Sequence, residues 1–231
     1  MNKKQLAVAT LLASQALTVN AQDLDIEITN LTQGIYYTPF LIAAHDSDTY
    51  LFKSGMAASP QLQMMAEGGD ISGLSEMLTA GNADLVENPA AGLLAPGGSV
   101  TTTLSTTDGN THFSLVSMLL PTNDGFAGVS GWEIPTEPGT HTLMLNAYDA
   151  GTEANDEIVN GGGAPGAPGI PASPGGSGTG AMGVTMVEDN TAVHIHRGSL
   201  GDDDANGGKS DLDNRVHRWL NPVIKVTITV N

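Results

Sequence analysis

The chain has 231 residues, 29 glycines, 12 prolines, no cysteine, and a formal charge of −17 from 8 Lys+Arg against 25 Asp+Glu. A chain of that length buries a substantial core, so it is no mini-protein, and its excess of carboxylates repels the phosphates of nucleic acids and of anionic membranes. With 14% charged and 40% hydrophobic residues, the composition is that of a globular chain rather than a disordered one.

At the N-terminus, Lys3 and Lys4 precede an apolar stretch from Leu6 to Leu17, followed by Val19-Asn20-Ala21. This reads as a signal peptide over residues 1–21, cleaved before Gln22; an amphipathic first helix of a cytosolic protein is the alternative. The run is too short and too broken by Ser14 and Gln15 to anchor a membrane span. Cleavage removes Lys3 and Lys4, leaving 6 − 25 = −19 on residues 22–231, and destines the chain for the periplasm or the extracellular space. An exported domain without cysteine has no disulfides to hold its loops. Either the core suffices or divalent cations tether acidic loops.

Leu24-Asp25-Ile26-Glu27-Ile28-Thr29 alternates apolar and polar residues, as a half-buried strand does, and so does Val223 to Val230 at the other end. Between them, Val100 to Thr106, Phe113 to Leu120, Thr140 to Ala147 and Val184 to Glu188 read as further short strands separated by Gly, Pro, Asn and Asp turns. The pattern predicts an all-β antiparallel sandwich. From Pro60 to Leu78 the apolar residues Leu62, Met65, Ala66, Leu74, Met77 and Leu78 recur at helical spacing around Gly68-Gly69, which predicts two short inserted helices. The stretch from Asn160 to Gly180 is Gly- and Pro-rich with almost no apolar side chain; it reads as a mobile loop that buries no surface.

Several segments, in order, resemble the N-terminal spondin domain of F-spondin and mindin, which also occurs as a secreted stand-alone domain in bacteria. They are Pro39 to Asp46, Gly55 to Pro60 with Met65-Ala66-Glu67-Gly68-Gly69, Ser117 to Gly128, Tyr148 to Glu153 and Asn221-Pro222-Val223. The match spans about Leu24 to Val230. The resemblance implies a C2-like antiparallel β-sandwich over residues 22–231, calcium bound by its loops, and adhesion at the cell surface or matrix. It places Asp124 and Asp149 on the acidic positions of the two calcium-associated blocks, with Glu153 where the family carries an Asp. The block from Ser117 to Gly128 resembles the family's strand and turn, and in that turn, with Gly125 and Gly128, Phe126 stands where animal members have Trp.

The residues make their own case for a cation. Asp124, Asp149, Glu153, Asp156 and Glu157 each fall in a turn at a strand end. Converging carboxylates repel one another unless a hard cation sits between them, and calcium takes about six to eight oxygens, some of which the carbonyls around Asn123 and Gly151 would supply. A solvated acidic rim of turn-forming Asp residues is the alternative. Separately, Asp202 to Asp213 fits a twelve-residue calcium loop, with Asp202, Asp204 and Asn206 at positions one, three and five, Gly207 at the sharp turn, the Gly208 carbonyl at seven, Ser210 at nine and Asp213 at twelve. Lys209 and the short Asp213 depart from that pattern, and an acidic Gly/Asn turn is the alternative reading.

The histidines offer a rival. In Val193-His194-Ile195-His196, His194 and His196 share one face of a strand and would chelate Cu(II) or Zn(II), with His217 as a third ligand. No cysteine nucleophile and no G-x-S-x-G, H-E-x-x-H or phosphate-loop pattern is present, so the chain reads as non-enzymatic, with a dispersed hydrolase site as a third option. The expected function is thus an exported calcium-binding module that engages an extracellular protein or polysaccharide through acidic loops, without nucleic-acid binding or membrane insertion. A periplasmic or extracellular Cu/Zn binder is the alternative.

Overall fold

A computed structural model describes residues 21–231. The expected signal peptide therefore lies outside the described residues, except for Ala21. The described chain folds as ten strands and two helices, in the order β1 (Asp23–Asn30), β2 (Tyr36–Tyr37), β3 (Leu41–His45), α1 (Pro60–Gly68), α2 (Ser72–Ala80), β4 (Asp84–Glu87), β5 (Ser99–Ser105), β6 (His112–Leu120), β7 (Gly125–Glu133), β8 (Gly139–Asp149), β9 (His194–Ile195) and β10 (Ile224–Val230).

The strands form an antiparallel sheet in the order β4-β3-β6-β7-β8-β10-β1-β5, with β2 added to β6 and β9 to β8. The terminal strands pair with each other, Leu24 opposite Val230 and Ile28 opposite Val226. The eleven-residue β8 joins two halves: residues 139–145 pair with β10, whereas Asn146 to Asp149 pair with Gly128 to Gly125 of β7. The ends approach where Thr107 donates its N–H and hydroxyl to Asp84, so the sheet nearly closes on itself. The fold is all-β and sandwich-like, as expected.

Two apolar clusters explain the layering. The interior is filled by Leu24, Ile26 and Ile28 of β1, Ile42 and Ala44 of β3, Phe113 and Leu115 of β6, and Ile224, Val226 and Ile228 of β10. The outer face of β3, β6 and β7 is covered by the helices, where Leu41, Ala43, Val116, Met118 and Phe126 meet Leu62, Met65, Ala66, Leu74 and Leu78. Strands β3 and β6 are therefore apolar on both faces, while β1, β5, β8 and β10 keep a polar outer face and alternate.

The predicted helices form where the periodicity placed them. Ser59 caps α1, accepting from the Leu62 N–H, and Gly69 ends it at φ 71°. Three expectations are corrected. Residues 184–188 form no strand: Met186 and Val187 are exposed and the segment lies on no strand edge. The segment from Gly125 to Gly128, read as part of a turn, opens β7; the turn is Pro121 to Asp124. The 160–180 stretch does bury surface: Ile170 is fully buried and pairs with Val159, and Gly162 and Gly163 pack so closely on Ala167, Gly169 and Glu67 carbonyls that no Cβ fits.

Candidate functional site

The β6–β7 turn, the C-terminal end of β8 with its following loop, and the 190–196 segment meet at one end of the sheet. Asp124 ends the turn and is fully buried. One carboxylate oxygen, Oδ2, accepts from Thr152 N (2.8 Å), the Thr152 hydroxyl (3.2 Å) and Glu153 N (3.2 Å). The other, Oδ1, is buried with no partner. Burial, and then the charge of Asp149, pushes the Asp124 carboxyl well above the usual range. Asp149 is itself buried, with Oδ1 accepting from Gly151 N and Oδ2 from the Asn155 amide at 2.7 Å.

The two histidines of the rival metal reading arrive at this same place. Gly151, at φ 69°, lets backbone pass where a Cβ would meet Asn190 O and Ala192 O within 2.8 Å, and β9 then sets His194 opposite Asp149. His194 Nδ1 donates to Ala192 O at 2.8 Å, leaving the Nε2 lone pair 3.8 Å from Asp149 Oδ2. His196 is different. Its Nδ1 accepts from Gly198 N, so Nε2 carries the proton and has no partner, and burial lowers the ring's pKa to about 4. A protonated Nε2 offers no lone pair to a metal. His217 belongs elsewhere: its Nδ1 accepts from Asp213 N, and burial lowers its pKa too.

The remaining carboxylates separate. Glu153 directs Oε1 to Gly169 N at 2.6 Å and leaves Oε2 buried and unpartnered; burial lifts its pKa to about 7, with Glu67 and Asp156 adding repulsion. Asp156 accepts from the Asn123 amide and Ile158 N. Glu157 accepts from Leu200 N, Gly201 N and the Ser210 hydroxyl, which makes it a tether for the last loop.

In that loop, Asp202 accepts from Asp204 N, Lys209 N and Ser210 N, bonds that hold its carboxyl below the ordinary value. Asp204 accepts from Asn206 N, the Gly208 carbonyl accepts from Met182 N, and Asp213 pairs with Arg215 at 2.8 Å, which holds its pKa at about 2. The loop's acceptors are largely taken by its own backbone and by Arg215. Among the described residues, no group of three or more His, Asp or Glu side chains is gathered as a metal site.

Two residues matter more than their sequence context announced. Asn123, buried, donates to Asp156 and accepts from Glu157 N, joining the turn to the 151–158 loop. Asp211 accepts from Val159 N, Thr179 N and hydroxyl, Gly180 N and Ala181 N; burial opposes its ionisation, but these donors prevail and keep its pKa low. A buried Ser–His contact also exists, Ser114 Oγ to His45 Nε2 at 2.6 Å, but both residues are shut inside the sheet.

No helix among the described residues is long and apolar enough to cross a membrane. No curated protein matches the chain. The Spondin_N family model matches residues 29–158, more than half of the chain and the run from the end of β1 through the carboxylate turns around Asp124 and Asp149. On that match, and on an antiparallel sheet that brings those two turns together, the chain belongs to the spondin N-terminal domain family.

Proposed function

We propose that this chain is an exported, non-enzymatic extracellular-type module whose 121–124 and 150–157 loops hold calcium, and that these loops engage an extracellular protein or polysaccharide. The single observation that carries this reading is Asp124 Oδ1, a buried carboxylate oxygen with no partner beside a second buried carboxylate, Asp149. An unpaired buried charge costs several kcal/mol unless a cation or proton compensates it, roughly 3–5 kcal/mol when a pair is broken. Asp124 and Asp149 would hold the ion, with backbone carbonyls of the two loops completing the oxygen shell. The ion would offset carboxylate repulsion and fix loops that have no disulfide.

Thermal melting tests it. At calcium about a hundredfold above Kd the stabilisation is about 2.7 kcal/mol, which for a domain of this size raises Tm by about 5–10 °C over EGTA-treated protein. Identical melting curves in calcium and EGTA sink the proposal.

The transition-metal reading keeps one supporting observation, the His194 Nε2 lone pair facing Asp149. Equilibrium dialysis with Cu(II) and Zn(II) tests it: stoichiometric uptake lost in His194→Ala supports that reading, and no uptake removes it.

A further inference from the structure

A hollow on the outer face of β7 and β8 is separate from the carboxylate loops. Along β8, Met144, Asn146 and Tyr148 face outward, while Leu145, Ala147 and Asp149 turn inward. The 46–56 segment lies over β7, and glycines make room for its rings: a Cβ on Gly128 would stand 3.2 Å from Phe52, and one on Gly131 3.1 Å from Tyr50. Phe52 in turn packs against Tyr148, with ring centroids 4.9 Å apart, and edge-on against Phe126 at 5.0 Å. The result is an open hollow of about 450 Å³ lined by Tyr50, Phe52, Lys53, Ser130, Asn146 and Tyr148. It adjoins a smaller one of about 310 Å³, bordered by Asp48, Met56 and Met77.

The polar groups in this wall say what it takes. Lys53 rests its ammonium 3.5 Å from the Tyr50 ring centroid, a contact worth about 0.5–1 kcal/mol at an exposed site. Among the described residues the Lys or Arg side chain within ion-pair distance of a carboxylate is Arg215, on Asp213, so no carboxylate holds Lys53. In a chain of charge −17 this is a free cation set among aromatic rings. The Asn146 amide and the Ser54, Tyr50 and Tyr148 hydroxyls lie in the same wall, half-exposed or exposed. Rings that take an apolar C–H face, one cation for a carboxylate, and an amide with hydroxyls for equatorial O–H groups are the complement of a sugar acid. A nucleotide or a sulfated polyanion would bring more negative charge than one lysine in an acidic chain balances.

We propose that this hollow binds an acidic sugar of the hexuronate type. Its carboxylate draws Lys53 off Tyr50, its apolar face lies on Phe52 and Tyr148, and its hydroxyls reach Asn146 and Ser130. The assignment does not depend on calcium.

Calorimetric titration of the full chain with a hexasaccharide of alternating glucuronate and N-acetylglucosamine, repeated in EGTA, tests it. Maltohexaose serves as the neutral comparator and poly-glutamate as the acidic peptide. Binding of the acidic hexasaccharide is expected in both buffers, weakened about tenfold by Lys53→Glu, where an attractive charge becomes repulsive, and retained by Lys53→Arg. Tyr148→Ala weakens it as well, with unchanged circular dichroism showing an intact sheet. The proposal is overturned if the hexasaccharide does not bind, if Lys53→Glu leaves its affinity unchanged, if EGTA abolishes binding, or if maltohexaose or poly-glutamate binds equally well.

Discussion

Asp124 and Asp149 show how a buried carboxylate is half-satisfied: Asp124 Oδ2 collects three donors while Oδ1 collects none. Asp124→Asn keeps the shape and removes the charge. In EGTA its Tm is expected to equal or exceed that of the wild type, because the repulsion with Asp149 is gone, and calcium no longer raises it; differential scanning calorimetry in both buffers reads the two effects. His45 makes a pH prediction away from these loops. Its Nδ1 donates to Asp46 O and its Nε2 accepts from Ser114, and burial lowers its pKa from 6.5. Below pH 6.5 the unfolded chain therefore binds a proton the folded chain resists, so stability is complete above 6.5 and declines as pH falls. His45→Gln is expected to flatten part of that decline, as followed by urea unfolding between pH 7.5 and 5. The acidic turns were legible as residue types at strand ends. That Glu153 turns toward Glu67 and Gly169 instead of toward Asp124 was not, because Glu67 lies on a helix far away in sequence.

At the scale of elements, local rules worked where an element has one wet face. Strands β1 and β10 alternate because one side is interior and the other solvent, and the α1 boundaries follow from Ser59-Pro60 at one end and Gly69 at the other. Ser59→Ala is expected to cost about 1 kcal/mol by removing the cap to Leu62 N; chemical denaturation at constant m-value measures it. Alternation failed for β3, where all five residues are buried between the interior and the helices. It also misled at 184–188, where alternating residues found no free strand edge. Glycine misled at Gly125 and Gly128, which signal a turn locally but are required by packing: a Cβ at Gly128 would meet Leu115 O at 2.6 Å. Gly128→Ala is expected to lower Tm by several degrees, since the Leu115 carbonyl, the Val116 side chain and the Phe52 ring leave the methyl no room.

Across the whole molecule, the last third of the chain is held by side-chain carboxylates more than by strands. Asp211 receives the donors of residues 159 and 179–181, and Glu157 those of residues 200, 201 and 210. Asp211→Ala is expected to cost about 2 kcal/mol, in the range for bonds to a charged acceptor. It should also make the 160–181 segment the first proteinase K cleavage site, giving on a denaturing gel a larger product that carries β1 to β8 and a smaller one that carries β9 and β10. Composition had suggested that this segment buries nothing, because composition counts apolar side chains, and glycine packs through its backbone.

The sequence by itself determined the all-β class, the inserted helices, the half-buried terminal strands and the family blocks, since each rests on contacts between near neighbours and on a periodicity of 2 or 3.6 residues. Only the tertiary structure decided that the terminal strands pair with each other, and that Asp124 and Asp149 stand together with His194 beside them. It also decided that the Asp202 to Asp213 loop spends its acceptors on its own backbone and on Arg215. Pairing and pocket formation join residues far apart in the chain. Their positions depend on how β8 bridges both halves of the sheet, and no local pattern records that.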